Sequence, residues 1–284
     1  MTGITLMVFA SACFAGMAAL VKALGPEFPF VEAMFFRGII SLPILFAILH
    51  FRKISFRTPN PGLMAVRGGF GMISMLSAYY SLQRGKLANI IVMGRAQPLF
   101  LVLLSPMLLK ERASPLALVS LAFGFSGVLL IVKPTAELID MPALIRLIGA
   151  MIGSIAYVAI RRLSATNRPE LIVFYFFVIT TLLSGVLSIP FFVVPTTSQF
   201  LLLLGISLFA TAAQLLMTTA FKLEDAPVIA TTSYAGVVFG LIVGYIFWKE
   251  LPDSLALLGA AIIVFSGVIL AYSKRPTHAS TYEG

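Results

Sequence analysis

The chain has 284 residues, of which 60% are hydrophobic and only 11% charged, with a mean hydropathy of +1.03. A water-soluble domain of this length carries about a quarter charged residues, so the composition excludes one and indicates an all-α integral membrane protein. The net charge of +9 does not point to nucleic acid, because the basic residues are scattered between apolar runs and do not gather with aromatics on a polar segment.

A helix crosses about 30 Å of hydrocarbon with roughly 20 residues at 1.5 Å each. Ten apolar runs meet or approach that length, at 3–21, 29–49, 63–83, 87–108, 115–132, 142–160, 171–190, 198–220, 227–247 and 254–272. No Lys or Arg precedes the first, so it reads as a retained span and not a secretory signal, despite the small residues of "SACFAG". The second carries Glu32 and Arg37, and the third a stripe of Arg67, Gly71, Ser74, Ala78 and Ser81. The fourth holds Arg95, Gln97 and Pro98 in "VMGRAQPLFL", the sixth Arg146 and Tyr157, the eighth Gln214, and the ninth Thr231, Ser233 and Tyr234. Pro26, Pro29, Pro59, Pro61, Pro134, Pro169 and Pro195 fall between or at the edges of runs, where a missing backbone donor costs least.

Ten spans put both ends of the chain on one side of the membrane. Eleven basic residues then lie on that side (Arg52, Lys53, Arg57, Lys110, Arg112, Arg161, Arg162, Arg168, Lys222, Lys274 and Arg275), against five on the other (Lys22, Arg84, Lys86, Lys133 and Lys249). The excess marks the cytoplasmic side, so both termini are expected in the cytoplasm of a multi-pass plasma (inner) membrane protein. The single Cys13 excludes an intramolecular disulfide.

The two halves resemble each other at an offset of 139 residues: "LLKERASPLAL" at 108–118 overlies "FWKELPDSLAL" at 247–257, matching Ser114 with Asp253 as helix caps. One residue further out of step, "FSGVLL" at 125–130 overlies "FSGVIL" at 265–270. Five spans per half is an odd number, so residues 1–138 and 139–284 are expected to form two five-helix repeats of opposite orientation, the second with a short cytoplasmic tail. Inverted repeats can exchange conformations and expose a midplane site to each side in turn.

"FFRGI", "YYSLQRGKLAN", the fourth span with Pro98 leading into "LLKERAS", and "KELPDSLALLGAAIIVFSGVIL" together resemble the drug/metabolite transporter superfamily, EamA type. The resemblance covers nearly the whole chain and implies ten helices in two inverted repeats, a central cavity lined by the first four helices of each, and solute transport without ATP hydrolysis. The absence of a GxxxxGK[ST] phosphate loop agrees. Arg95 departs from the family's general pattern.

Four basic residues, Arg37, Arg67, Arg95 and Arg146, lie within or near spans, where an unpaired charge costs at least about 2.5 kcal/mol. Arg67 and Arg146 are close to span ends and are expected to snorkel to headgroups. Arg37 and Arg95 each come about eight residues after their span enters from the outer side, roughly 12 Å deep, and are expected to share a polar cavity with Gln97, Ser74, Gln214 and Tyr234. Gln97 sits about 200° around a regular helix from Arg95, and the Ser74 stripe serves packing as well as a cavity. The offset pairs Arg37 with Phe176 and Arg95 with Tyr234, so the arginines break the repeat. They either bind an anionic group or make structural bonds, to backbone carbonyls near Pro98 or to Glu32.

Glu32 reads as an interfacial acid or as a proton-coupling carboxylate. Tyr79, Tyr80, Tyr157 and Trp248 lie near span ends and are expected in the aromatic belts. Glu111 and Glu250 stand on opposite faces and cannot form a catalytic pair, and neither a metal-spaced His/Cys/Asp/Glu cluster nor a Ser/His/Asp set is visible. The sequence therefore reads as a transporter, with no cofactor and no enzyme chemistry, whose partners are a small-molecule substrate and the bilayer. Two other readings stay open: an exporter of cationic or neutral solutes using Glu32, and a non-transporting membrane scaffold. Oligomeric state stays open as monomer or homodimer, since ridges such as Ser120 and Gly124 suit either intramolecular packing or a dimer.

Overall fold

The computed structural model describes residues 2–25, 27–84, 93–110, 114–132, 141–249 and 251–273, and all regular structure among them is helical. In chain order the helices are α1 (Gly3–Leu24), α2 (Phe30–Phe51), α3 (Pro61–Arg84), α4 (Gln97–Leu108), α5 (Pro115–Val132), α6 (Met141–Leu163), α7 (Pro169–Ser188), α8 (Thr197–Leu223), α9 (Ala226–Thr232), α10 (Ala235–Trp248) and α11 (Ser254–Ser273). Among the described residues, six stretches are long and apolar enough to cross a membrane, one of them α9 and α10 read together, and α4, α5 and α11 are shorter apolar helices.

Side chains satisfy donors that open α1, α5, α8 and α11. Thr2 caps α1 by accepting from Thr5 N–H at 3.3 Å. Thr196 and Gln199 close a capping box at the start of α8. Ser114 accepts from Ala117 N–H at 3.1 Å and Asp253 from Ala256 N–H at 2.9 Å, each three residues into its helix. Lys110 and Lys249, just past α4 and α10, both adopt left-handed backbone (φ 60° and 57°).

Two helices are interrupted. A helical turn at 93–95 precedes α4, and at Ala96 the bonds tighten to Ala96 N–H to Met93 O and Leu99 N–H to Ala96 O; Pro98, with no N–H, cannot restore the regular ladder. Between α9 and α10 the same shortening appears as Tyr234 N–H to Thr231 O, Gly236 N–H to Ser233 O and Val237 N–H to Tyr234 O.

The helices pack mainly as α1 on α8, α3 on α6, α2 on α7 and α5 on α11, with α4 against α6 and α9, and α10 against α1. The α5–α11 crossing is close: a Cβ on Gly127 would stand 2.7 Å from Gly259 O, and one on Gly259 2.6 Å from Gly127 O. Gly124 leaves room for the Tyr234 ring, which a Cβ there would meet at 2.6 Å, so this position serves packing within the chain. Apolar side chains such as Met107, Leu182, Val186 and Phe265 face outward, as a lipid solvent permits.

One end of the bundle gathers Thr2, the 52–60 connection and the ends of α6 and α8. Arg52 pairs with Glu170 at 2.6 Å, and Thr58 donates to Asn167 at 2.9 Å. Arg161 bonds Phe221 O at 2.9 Å and Asp225 at 3.1 Å. The opposite end holds the turn at 27–29 and the connection at 189–196, joined by Phe36 against Phe192 and by Glu32.

Candidate functional site

Arg67 does not snorkel. It is 3% exposed, its Nη2 donates to Gln214 Oε1 at 2.9 Å, and its Cζ lies 3.9 Å from the centroid of Phe176. Its depth along α3 would allow a headgroup contact, but the face of α3 that carries it is turned toward α7 and α8. There an amide acceptor and an aromatic face satisfy the guanidinium. Arg37 lies beside it, also 3% exposed, with Nη2 3.5 Å from Met75 Sδ and Cζ 5.2 Å from the Phe177 ring.

Arg146 does not snorkel either. Its Nε and Nη2 lie across Gly94, 2.7 Å from where a Cβ would stand, which sets it next to Arg95 and not at the interface. Arg95 in turn lies against Gly236 of α10 and Ser11 of α1: a Cβ on Gly236 would be 3.5 Å from Arg95 Nη1 and 3.7 Å from Ser11 Cβ.

Tyr157 of α6 joins the two groups. Expected in an interfacial belt, it shares a side-chain hydrogen bond with Gln97 and lies within electrostatic reach of Arg67, Arg95 and Arg146. The expectation that Gln97 faces away from Arg95 assumed a regular helix. The tightened turn at Ala96 brings both side chains round to Tyr157. Ser74 packs over Gly153 of α6, where a Cβ would meet Ser74 Oγ at 2.5 Å and Gln97 Nε2 at 3.0 Å. Tyr234 is 1% exposed and lies within electrostatic reach of Arg95.

The cluster therefore draws on α1, α2, α3, the interrupted turn before α4, α6, α8 and the break before α10. Tyr157 and Arg37 bear on Arg67, Tyr157 and Tyr234 on Arg95, and Arg95 and Tyr157 on Arg146. Among the described residues, Tyr234 OH, Ser11 Oγ, Arg67 Nε and Arg146 Nη1 are buried polar atoms without a hydrogen-bond partner. Buried polar atoms are normally paired, so the arrangement is suited to receive a solute rich in acceptors.

Glu32 stands apart from it. Fully buried in the first turn of α2, it accepts from Val193 N–H at 2.8 Å through Oε1, while Oε2 has no hydrogen-bond partner among the described residues. It pins the connection that follows α7 and pairs with neither Arg37 nor Arg95. Glu111 and Glu250 lie outside the described residues, as do the side chains of Tyr79 and Trp248.

Sequence reasoning missed Tyr157, Arg146 and Arg67 as members of this cluster. The signal was present: Arg146, Gly149, Gly153 and Tyr157 recur at intervals of three and four on one face of α6, opposite the Arg67, Gly71, Ser74 stripe of α3.

A cavity of about 370 Å³ opens at the Thr2 end of the bundle, away from the cluster, lined by Lys110, Arg161, Arg162, Ser164, Ala165 and Lys222 among others. Arg162 crosses it to donate to Leu108 O, through Nε at 3.0 Å and also through Nη2.

These features define a multi-pass helical membrane protein with a basic polar site in its interior, the class of a solute transporter. The EamA-like transporter family model matches residues 1–133 and 141–273, and the chain belongs to that family. It is 33% identical over 276 residues to the pseudopaline exporter CntI of Pseudomonas aeruginosa strain UCBPP-PA14, spanning 96% of this chain and 97% of that one. It is 23% identical over 263 residues to an S-adenosylmethionine uptake transporter of Rickettsia prowazekii, spanning 92% and 90%. A riboflavin transporter of Rhizobium johnstonii is 26% identical over 181 residues, 63% of this chain and 60% of its own. A solved crystal structure superposes with a TM-score of 0.81 over 97% of this chain and 99% of that chain; at 22% identity it shows the fold alone.

Proposed function

We propose that this protein is a secondary transporter that exports a small carboxylate-bearing metabolite, such as an amino acid, across the inner membrane by alternating access. The anionic group binds at Arg95 and Arg37, with Ser74, Gln97, Gln214 and Tyr234 completing the site. The observation that carries this reading is the convergence of buried arginines on Tyr157 with no described carboxylate bearing on Arg67, Arg95 or Arg146. Guanidinium matches carboxylate in a bidentate way, and a charge in hydrocarbon needs such a partner.

Alternating access rests on ten spans in two inverted repeats, residues 1–138 and 139–284. Four observations support it. Lys110 and Lys249, 139 residues apart, share the left-handed conformation, and Ser114 and Asp253 at the same offset both cap helices. The interruptions at Ala96 and at Ser233 and Tyr234 fall in the corresponding spans. The helix pairs also obey the symmetry: α1 on α8 corresponds to α6 on α3, α4 on α6 to α10 on α1, and α2 on α7 to itself. Export follows the pseudopaline exporter, the relative at 33% identity. Cytoplasmic termini follow the basic excess, and the 370 Å³ cavity would then open to the cytoplasm.

Flux into sealed proteoliposomes, measured for amino acids, organic acids, nucleosides and organic cations, tests the proposal. Anion flux should saturate, and Arg95→Gln and Arg37→Gln should each weaken it by roughly tenfold to a hundredfold while the protein still inserts. Normal flux in both variants would make the arginines structural. Flux of cations alone would overturn the anionic site, and no substrate-dependent flux would overturn transport.

A further inference from the structure

We infer that the solute carries at least two, and best three, carboxylates: one held between Arg95 and Arg146, another reaching toward Arg67, and Tyr157 lying between them. This rests on the transport reading above and deepens it.

Tyr157 lies within electrostatic reach of Arg67, Arg95 and Arg146; Arg37 bears on Arg67 and Arg95 on Arg146, and no described carboxylate bears on any of the three. Like charges repel several times more strongly in a protein interior than in water. A single carboxylate offsets one guanidinium and leaves two uncompensated, in a region where each costs at least about 2.5 kcal/mol. Solutes with a single carboxylate therefore fit less well than those with several, acidic amino acids among them.

The neutral groups point the same way. Arg67 commits Nη2 to the Gln214 amide and its face to Phe176, yet its Nε has no partner. Arg146 Nη1, Tyr234 OH and Ser11 Oγ are also unpartnered, which places orphan donors at both ends of the cluster. One carboxylate has two oxygens against these four unpartnered polar atoms, which lie beside Gly94, Gly236 and Gln214. Two or three carboxylates on one small backbone supply an oxygen for each. The basic lining of the open cavity, Lys110, Arg161, Arg162 and Lys222, would gather such a polyanion more strongly than a monoanion.

The test uses the full-length protein in liposomes with butanoate, succinate and propane-1,2,3-tricarboxylate, measuring binding by thermal shift and uptake of label. Affinity should rise with each added carboxylate by roughly tenfold or more. Arg146→Gln should shrink the ratio of tricarboxylate to butanoate affinity by roughly tenfold, and Arg146→Lys, which keeps the charge, should shrink it less. The ratio is internal to each protein, so a change in the amount of folded material does not move it. Equal affinity for the three anions, or a ratio unchanged in Arg146→Gln, would overturn the polycarboxylate assignment and leave anion transport standing. If none of the three binds while a cation or neutral solute is carried, both readings fall.

Discussion

Arg67 is the seventh residue of α3, close enough to the end of its helix for a headgroup, yet it ends on Gln214, 147 positions away in the chain. A buried guanidinium that loses a neutral acceptor is left with an orphan donor, worth about 1–3 kcal/mol. Gln214→Leu should therefore lower stability by that amount, read as a lower Tm of the protein in detergent; an unchanged Tm would mean that water replaces the amide freely. Tyr234 presents the opposite case, since its buried hydroxyl has no partner among the described residues. Tyr234→Phe should leave Tm unchanged or slightly raised while weakening solute binding, because it deletes a donor that only the solute would use. A clear drop in Tm would assign the hydroxyl a structural bond.

At the scale of the element, the decisive feature is the pair of interrupted helices. A regular helix would turn Arg95 and Gln97 to different faces, whereas the shortened bonds at Ala96 let both address Tyr157. Pro98 removes the donor that a regular turn would send to residue 94. Pro98→Ala should restore that bond, keep or raise stability, and cost transport, with Tm and flux moving apart. If both stay as they were, the break is set by packing against α6 and α9 and the proline is incidental. "VMGRAQPLFL" thus supplied the proline and the charged residues but not the direction in which they point.

For the whole molecule, the proposed inverted repeat makes a definite statement about sidedness. Ala165 lines the cavity at the Thr2 end and Ser198 is exposed at the other end. On a Cys13→Ser background, Ala165→Cys should react with an impermeant maleimide only in inside-out vesicles, and Ser198→Cys only in right-side-out cells. The reverse pattern would invert the topology and turn the cavity outward. Positions that the proposed repeat would pair lie close together: Phe176 underlies Arg67 beside Arg37, and Tyr234 lies next to Arg95. Such meetings are expected where a pseudo-two-fold axis passes through a shared centre; Arg37, Arg67 and Arg95 come from the first half, and Arg146, Tyr157, Phe176 and Tyr234 from the second.

The amino-acid sequence by itself determined that the chain is helical and lives in a membrane, because hydropathy and span length are local quantities that each segment carries alone. It also carried the caps at Ser114 and Asp253 and the internal likeness of the halves. Only the tertiary structure decided which basic residues share a site. Distance from a span end sets the depth of a side chain, but which way the helix is rotated depends on its neighbours. That rotation turns Arg67 to Gln214 and Phe176, lays Arg146 across Gly94, and draws Tyr157 out of the expected belt, while Glu32 goes to the Val193 amide. Each of these is settled by a partner more than 35 positions away, which no local pattern specifies.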